Sequence, residues 1–263
     1  MGEPFDFEVH DGVGVITFAR PKTMHSLTFD VYRGLERLFR EASGDDRYRA
    51  LVVTGSGRGF CSGGDVHEII GELLQRDMRA RLEFTRLTGA LVSAMRLLDK
   101  PVLAAVNGLA AGGGAVIALA CDLRVCAASA RFAFLFSKVG LTGADMGAGW
   151  LLPRAVGLSR ASELLLLGDT IDAATAERYG LANRVVPDAQ LMDATMEWAR
   201  RLASGPRLAL SMTKRMIQNE LQMDFAAGIE AEAQAQALLL EGEDHRAFYD
   251  AFREKREPRF GGR

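Results

Sequence analysis

The chain has 263 residues, 48% hydrophobic and 25% charged, with a formal charge of −2 at pH 7. This is the composition of a soluble globular protein with ample material for a core, and its near-neutral balance gives no electrostatic case for nucleic-acid binding. Cys61, Cys121 and Cys126 lack metal-ligand spacing and fit a reduced, cytoplasmic protein with no metal centre.

The opening segment MGEPFDFEVHDG lacks the basic and apolar pattern of a signal peptide, and Asp6 stands where a myristoylation motif needs Ser or Thr. Phe5–His10 and Val13–Phe18 flank Asp11-Gly12, which predicts a hairpin. Leu27, Val31, Leu35, Leu38 and Phe39 recur at helical spacing and predict a helix over 27–43. A buried strand over 50–54 leads into the loop GSGRGFCSGGD at 55–65, with a helix beginning near Asp65. A longer helix over 79–98 stops before Lys100-Pro101. Next come a strand over 101–106, the Asn107-Gly108 turn, Gly112, Gly113 and Gly114, an apolar helix, and a strand over 123–126. Residues 103–122 are the only stretch that approaches a membrane span. Their glycines, Asn107 and modest apolarity predict a buried strand and helix instead.

Strands alternating with helices predict an α/β fold with a mainly parallel sheet. Beyond residue 155 the pattern becomes helical, over 157–167, 173–179, 190–203, 207–221, 223–240 and 242–256, with one extended piece at 183–186. An α/β core over 1–200 and a helical region over 201–263 follow. The 223–240 helix carries Phe225, Ile229, Ala233, Ala237 and Leu240 on one face, which packs on its own core or on another subunit. Arg253, Lys255, Arg256, Arg259 and Arg263 form a basic terminus suited to an anionic small ligand.

The two glycine-rich loops carry the functional signal. Residues 55–65 lack the GK[ST] of a phosphate-binding loop. GGGAVI matches a dinucleotide fingerprint only weakly, lies far into the sheet, and has no evident acidic ribose ligand. Tight turns required by packing are the plain alternative. Yet each loop leaves a buried strand and enters a helix N-terminus. If the strands are neighbours, backbone N–H groups from both loops converge on one oxygen, the arrangement that stabilises an enolate or tetrahedral anion.

GRGFCSGGDV at 57–66, VNGLAAGGGAVIALACD at 106–122, the tail AFREKREPRFGG at 251–262 and RPKTMHSL at 20–27 together resemble the enoyl-CoA hydratase/isomerase (crotonase) family, over essentially the whole chain and in family order. The resemblance implies stacked ββα turns, a helical C-terminal trimerisation region, trimers or hexamers, and an acyl-CoA substrate whose coenzyme A is part of the substrate, with no separate cofactor. It places the oxyanion donors at the amides of Gly64 and Gly113. It places Lys22, Thr23, Met24, Phe60, Ser62, Asp65, Val66, His67, Leu109, Val116 and Phe136 along the substrate, and brings Phe252 and Lys255 of the tail to coenzyme A, often that of a neighbouring subunit. His25 stands where the family motif has Asn.

The pattern breaks at the proton-handling positions. Hydratases of the family carry glutamates where this chain has Val116 and Phe136, neither of which can transfer a proton. Asp145, in GLTGADMGAGWLLPR, resembles an acidic residue that acts on the thioester in dienoyl-CoA isomerases, hydroxyacyl-CoA hydrolases and aryl-CoA dehalogenases, offset by one residue. Alternatively it caps the following helix, with Met146–Leu152 as its first turns. His67 is a second candidate base. Lys138 could meet a substrate carboxylate, and Asp65 fixes its own loop. Glu68 and Glu72 read as surface charges, and Asp122 and Arg124 as a buried pair. Val116, Phe136 and Trp150 would make a greasy acyl pocket.

The leading expectation is therefore an acyl-CoA enzyme using Gly64, Gly113 and Asp145 for isomerisation, hydration or thioester cleavage. The alternatives are a catalytically silent acyl-CoA-binding protein and a nicotinamide-dependent oxidoreductase.

Overall fold

The structure is a computed structural model describing residues 5–262. Met1–Pro4, where part of the leader and myristoylation reading falls, and Arg263 of the basic terminus lie outside the described residues.

In chain order the elements are β1 (Phe5–His10), β2 (Val13–Phe18), α1 (Phe29–Glu41), β3 (Ala50–Gly55), β4 (Gly59–Cys61), α2 (Glu72–Leu74), α3 (Met78–Leu97), β5 (Val102–Val106), β6 (Leu109–Ala111), α4 (Gly113–Ala120), β7 (Leu123–Ala127) and β8 (Arg131–Ala133). There follow α5 (Ala148–Val156), α6 (Leu158–Leu167), β9 (Thr170–Asp172), α7 (Ala173–Tyr179), β10 (Arg184–Val186), α8 (Leu191–Ala203), α9 (Arg207–Glu220), α10 (Phe225–Leu240) and α11 (Glu243–Glu254).

Two sheets result. The larger has the order β1-β2-β3-β5-β7-β10, antiparallel only at the β1–β2 hairpin. Asp11 and Gly12 turn that hairpin with φ of 53° and 74°, the left-handed pair that a two-residue turn between twisted strands needs. The smaller sheet, β4-β6-β8-β9, is built from three-residue strands and is parallel except at β9. These strands are too short to show alternation, which is why the sequence pattern does not reveal them.

β3 and β5 are buried at every residue, because both faces of the large sheet are covered. On one face Leu51, Val53, Ala104 and Val106 join Phe18, Phe39, Phe60, Phe132 and Phe134 in the main core. On the other, Val52, Leu103 and Val125 meet Leu191, Ala194 and Ala199 of α8. Continuous apolar strands of this kind belong to a parallel sheet covered on both sides.

Two sequence expectations need correction. The predicted helix over 27–43 begins only at Phe29, because Leu27 is extended and bridges to Gly64. Asp122 and Arg124 are not a bonded pair. The Arg124 guanidinium donates to the carbonyls of Leu119, Cys121 and Leu181, while Asp122 is paired with Lys214 at 2.8 Å and Arg96 at 3.3 Å. The free C-terminal carbonyls of α4 outcompete the carboxylate for Arg124, and Asp122 instead accepts the Val102 N–H at 2.8 Å.

Candidate functional site

β3 and β5 are hydrogen-bonded neighbours, so the loops leaving their C-terminal ends run side by side and continue as the parallel pair β4 and β6. The two glycine-rich segments then meet backbone to backbone. A Cβ built on Gly63 would lie 2.8 Å from Ala111 O and 3.3 Å from Gly113 N, and one on Gly114 would collide with the backbone of Cys61. Only glycine permits that approach.

The Leu27 N–H donates to Gly63 O at 2.8 Å, and the Asp65 N–H donates to Leu27 O at 2.9 Å. The Gly64 amide between them donates to no group among the described residues, and neither does the Gly113 amide at the first turn of α4. Two free N–H groups on loops a van der Waals contact apart are the local ingredients of an anion site.

Asp65 fixes the first of these loops. Its carboxylate accepts the N–H of His67 and of Glu68, both at 3.0 Å, and the Ser26 hydroxyl at 2.7 Å, and Arg20 stands 3.8 Å away. The Glu68 amide, then Ser26, hold its carboxyl below the usual range. It caps the widened helical turn Val66–Gly71, a winding often found beside functional sites.

His25 locks the neighbouring loop. It is 2% exposed with φ 59°. Its Nδ1 accepts the Arg20 N–H at 3.0 Å, so Nε2 carries the proton and donates to Ser56 O at 2.7 Å. The Ser62 N–H donates to Met24 O and the Ser62 hydroxyl to Thr23 O. Pro21, Lys22, Met24, Gly57 and Arg58 then border a groove of about 640 Å³.

Asp145 lies in the loop before α5, half-buried. The structure does not use it as a side-chain cap: the helix starts at Ala148 after Gly147, and the Ala148 N–H donates to the Asp145 backbone carbonyl at 2.8 Å. Met146 takes φ 51° and is 5% exposed, and its Sδ would lie 3.4 Å from a Cβ on Gly113. The loop that carries Asp145 is thereby seated against the triglycine turn. Burial pushes the Asp145 carboxyl up from its ordinary value, opposed in part by the Met146 amide, so it holds a proton more readily than a surface aspartate.

The other candidates divide. Val116 is fully buried and Phe136 nearly so, both within the main core that also holds Met146 and against which Trp150 packs. Leu109 is half-buried on β6. The Phe60 side chain points into the core, edge-on to Phe18 with ring centroids 5.7 Å apart, and is not open to a ligand. Thr23, Val66 and His67 are exposed. Lys138 is paired with Asp169 at 2.6 Å rather than left free for a substrate carboxylate. Phe252 and Lys255 end α11, both exposed, with Lys255 at φ 54°.

Tyr32 was missed by sequence reasoning. Its hydroxyl would lie 2.6 Å from a Cβ on Gly113 and sits 3.8 Å from Met146 Sδ. The period of α1 places it on the buried face beside Val31, where it reads simply as core.

The sequence profile of the enoyl-CoA hydratase/isomerase family matches residues 8–263. The 1,2-epoxyphenylacetyl-CoA isomerase of Escherichia coli strain K12 is 36% identical over 255 residues, 97% of each chain. A Mycobacterium tuberculosis H37Rv protein named "Probable enoyl-CoA hydratase EchA12" is 42% identical over 231 residues, 86% of this chain and 79% of that one. The crystal structure of a Streptomyces coelicolor A3(2) protein described as a "putative enoyl-CoA hydratase" is 51% identical with a TM-score of 0.96, covering 99% of this chain and 94% of that one.

Proposed function

The chain belongs to the enoyl-CoA hydratase/isomerase family and is an acyl-CoA-processing enzyme of that type; from its site we propose an isomerase-like proton transfer on an acyl-CoA thioester. The Gly64 and Gly113 amides hold the thioester oxygen as it becomes an enolate, and Asp145 moves the proton. The carboxylate removes a proton from the acyl carbon next to the thioester or one conjugated with it. The electron pair shifts onto the thioester oxygen, and the Asp145 carboxylic acid returns the proton to a different carbon. Charge developing on that oxygen is where two preorganised N–H groups contribute most, about 3 kcal/mol each.

The observation that carries this reading is the composition of the site. Two unpaired backbone amides lie in touching loops, one partly desolvated carboxylate is carried on the loop whose Met146 packs against Gly113, and Val116 and Phe136 stand where hydratase chemistry would want two more proton-transferring groups. A single carboxylate suffices to shuttle a proton, whereas activating water and protonating carbon in one step is commonly divided between two. The isomerase name of the Escherichia coli relative supports the same choice. Coenzyme A would lie along the groove beside Lys22, Met24 and Arg58, with Phe252 and Lys255 closing on it from a neighbouring copy. Exposed Phe225, Ile229, Leu238 and Leu240 on α10 support a trimer or a pair of trimers.

The test is a panel of 2-enoyl-, 3-enoyl- and saturated acyl-CoA esters analysed for double-bond migration, hydration and free coenzyme A. Migration as the main product is expected. Hydration or thiol release as the main product would replace this reaction with another of the family, and binding without turnover across the panel would make the protein a silent acyl-CoA binder.

A further inference from the structure

The helix that carries Phe252 and Lys255 is held at its opposite end by a buried carboxylate. α11 buries only two of its residues, Asp244 and Ala251, while Phe248, Tyr249 and Phe252 stand exposed. One alanine is too small an apolar face to fix a helix on the body. Asp244 is 8% exposed and reaches away from its own helix to the end of the chain. Its Oδ1 accepts the Gly261 N–H at 2.7 Å and the Gly262 N–H at 3.1 Å, and Oδ2 lies 3.1 Å from the same Gly262 nitrogen. Backbone N–H groups of this kind are what a carboxylate needs to remain buried, and its place in the first turn of α11 adds the positive end of the helix.

The chain between these partners is a closed hairpin. Lys255 turns it: at φ 54° it ends α11, with the Arg256 N–H donating to Ala251 O at 3.0 Å and the Lys255 N–H to Phe252 O at 3.2 Å. That reversal is usually made by glycine. The helix rises about 15 Å from Asp244 to Glu254, and the six residues 256–261 reach at most about 20 Å. The return is therefore nearly extended, and Pro258, Phe260 and Gly262 are half-buried in alternation with exposed Arg259 and Gly261. Its end is tied to the body as well. The Arg49 guanidinium, just before β3, donates to Gly261 O at 3.4 Å. A Cβ on Gly262 would lie 3.2 Å from Arg207 Cβ at the start of α9, and Arg207 is held by Asp46 at 2.7 Å.

We propose that Asp244 is a positioning residue for the coenzyme A end of the substrate. By gripping the Gly261 and Gly262 amides it locks α11 and its return to the body, and so holds Phe252 and Lys255 in place at the other end of the hairpin. This rests on the acyl-CoA reading of the site and on the part that Phe252 and Lys255 take in it. A tail clipped in advance meets the ligand without first having to be ordered.

The test measures kcat and kcat/KM for the full chain, Asp244→Ala and Asp244→Asn. The substrates are the acyl-CoA ester that the native chain turns over best and the same acyl group on pantetheine, which lacks the nucleotide. Asp244→Ala should lower kcat/KM on the coenzyme A ester at least about tenfold, the low end of what one charge-assisted hydrogen bond is worth. The loss should lie in KM, with kcat and the rate on the pantetheine ester unchanged. Asp244→Asn should recover most of it, because the amide oxygen can accept the same two N–H groups. A chain that stops at Phe260 loses both amides, keeps Asp244 and should reproduce the alanine result, even if Asp244→Ala does not fold. Equal losses on both esters would make the clip a general structural support and overturn the inference. Unchanged kinetics on the coenzyme A ester, or an Asp244→Asn chain as impaired as Asp244→Ala, would also overturn it and leave the acyl-CoA reading standing. A native chain that turns over no acyl-CoA ester fails the acyl-CoA reading itself, and this inference with it.

Discussion

Gly113→Ala overpacks the contact between the triglycine turn and Tyr32. Gly113 does not take a positive φ, so backbone conformation alone would favour alanine by about 0.4–1 kcal/mol. The added methyl, however, would lie 2.6 Å from the Tyr32 hydroxyl, 3.1 Å from Leu27 Cδ1 and 3.4 Å from Met146 Sδ. The first contact is about 0.8 Å inside ordinary van der Waals separation. The phenol cannot swing away, since its ring is wedged against Phe84. Overpacking of this kind costs about 1–3 kcal/mol, so the net loss is about 1–2 kcal/mol, or about 2–8 °C in Tm for a chain of this size. Part of the strain should be relieved by moving residue 113, and a displacement of order 1 Å in the amide should lower kcat/KM by about 100-fold. Thermal unfolding and initial rates on the best substrate measure both effects. Gly113→Ala/Tyr32→Phe, which deletes the colliding oxygen, should recover most of the lost Tm. A Gly113→Ala variant that is as stable and as active as the native chain would mean that the turn has room for a methyl group.

His25→Phe should cost about 2–4 kcal/mol, because it strips partners from the Arg20 N–H and Ser56 O in a buried setting, and it should weaken coenzyme A binding. Denaturant unfolding and equilibrium dialysis check the two effects. Asp145 has a raised carboxyl pKa, so its charged form is disfavoured in the folded chain. The destabilisation appears as pH rises above the unfolded carboxylate value and is complete above the folded one. Asp145→Asn should therefore unfold no lower than the native chain at pH 7 while losing turnover, and native kcat/KM should fall on an acidic limb above the ordinary aspartate range. Cys61, Cys121 and Cys126 are buried, and burial pushes each thiol up to about 12. The native chain should thus resist a thiol reagent near pH 8 that modifies all three once it is unfolded.

The large sheet was legible because its central strands β3 and β5 are almost wholly apolar and its hairpin turn is Asp11-Gly12. The small sheet was not, since three residues such as Gly59–Cys61 carry no period. The triglycine and SGGD loops announced themselves through glycine, as the only residue that allows the approach of Gly63 to Gly113 and of Gly114 to Cys61. What they approach is set by tertiary packing. Tyr32 lies five residues beyond Leu27, which bridges to Gly64, and nothing local distinguishes it from a core aromatic. Asp145 was visible as an acid next to glycines, but the loop seating that desolvates it depends on Met146 at φ 51°, a conformation not readable from a methionine. Similarly, Arg124 and Asp122 suggest a pair by adjacency, and only the fold shows that carbonyls at the end of α4 claim the arginine.

In the proposed reaction Asp145 moves protons on a thioester held by the Gly64 and Gly113 amides. Its most direct measurement is solvent-deuterium incorporation into a 3-enoyl-CoA ester in D2O, followed by proton NMR with the native chain and with Asp145→Asn. Exchange at the carbons that flank the migrating double bond is expected with the native chain, and a loss of at least about 1,000-fold with Asp145→Asn. Exchange that continues undiminished in Asp145→Asn would contradict it.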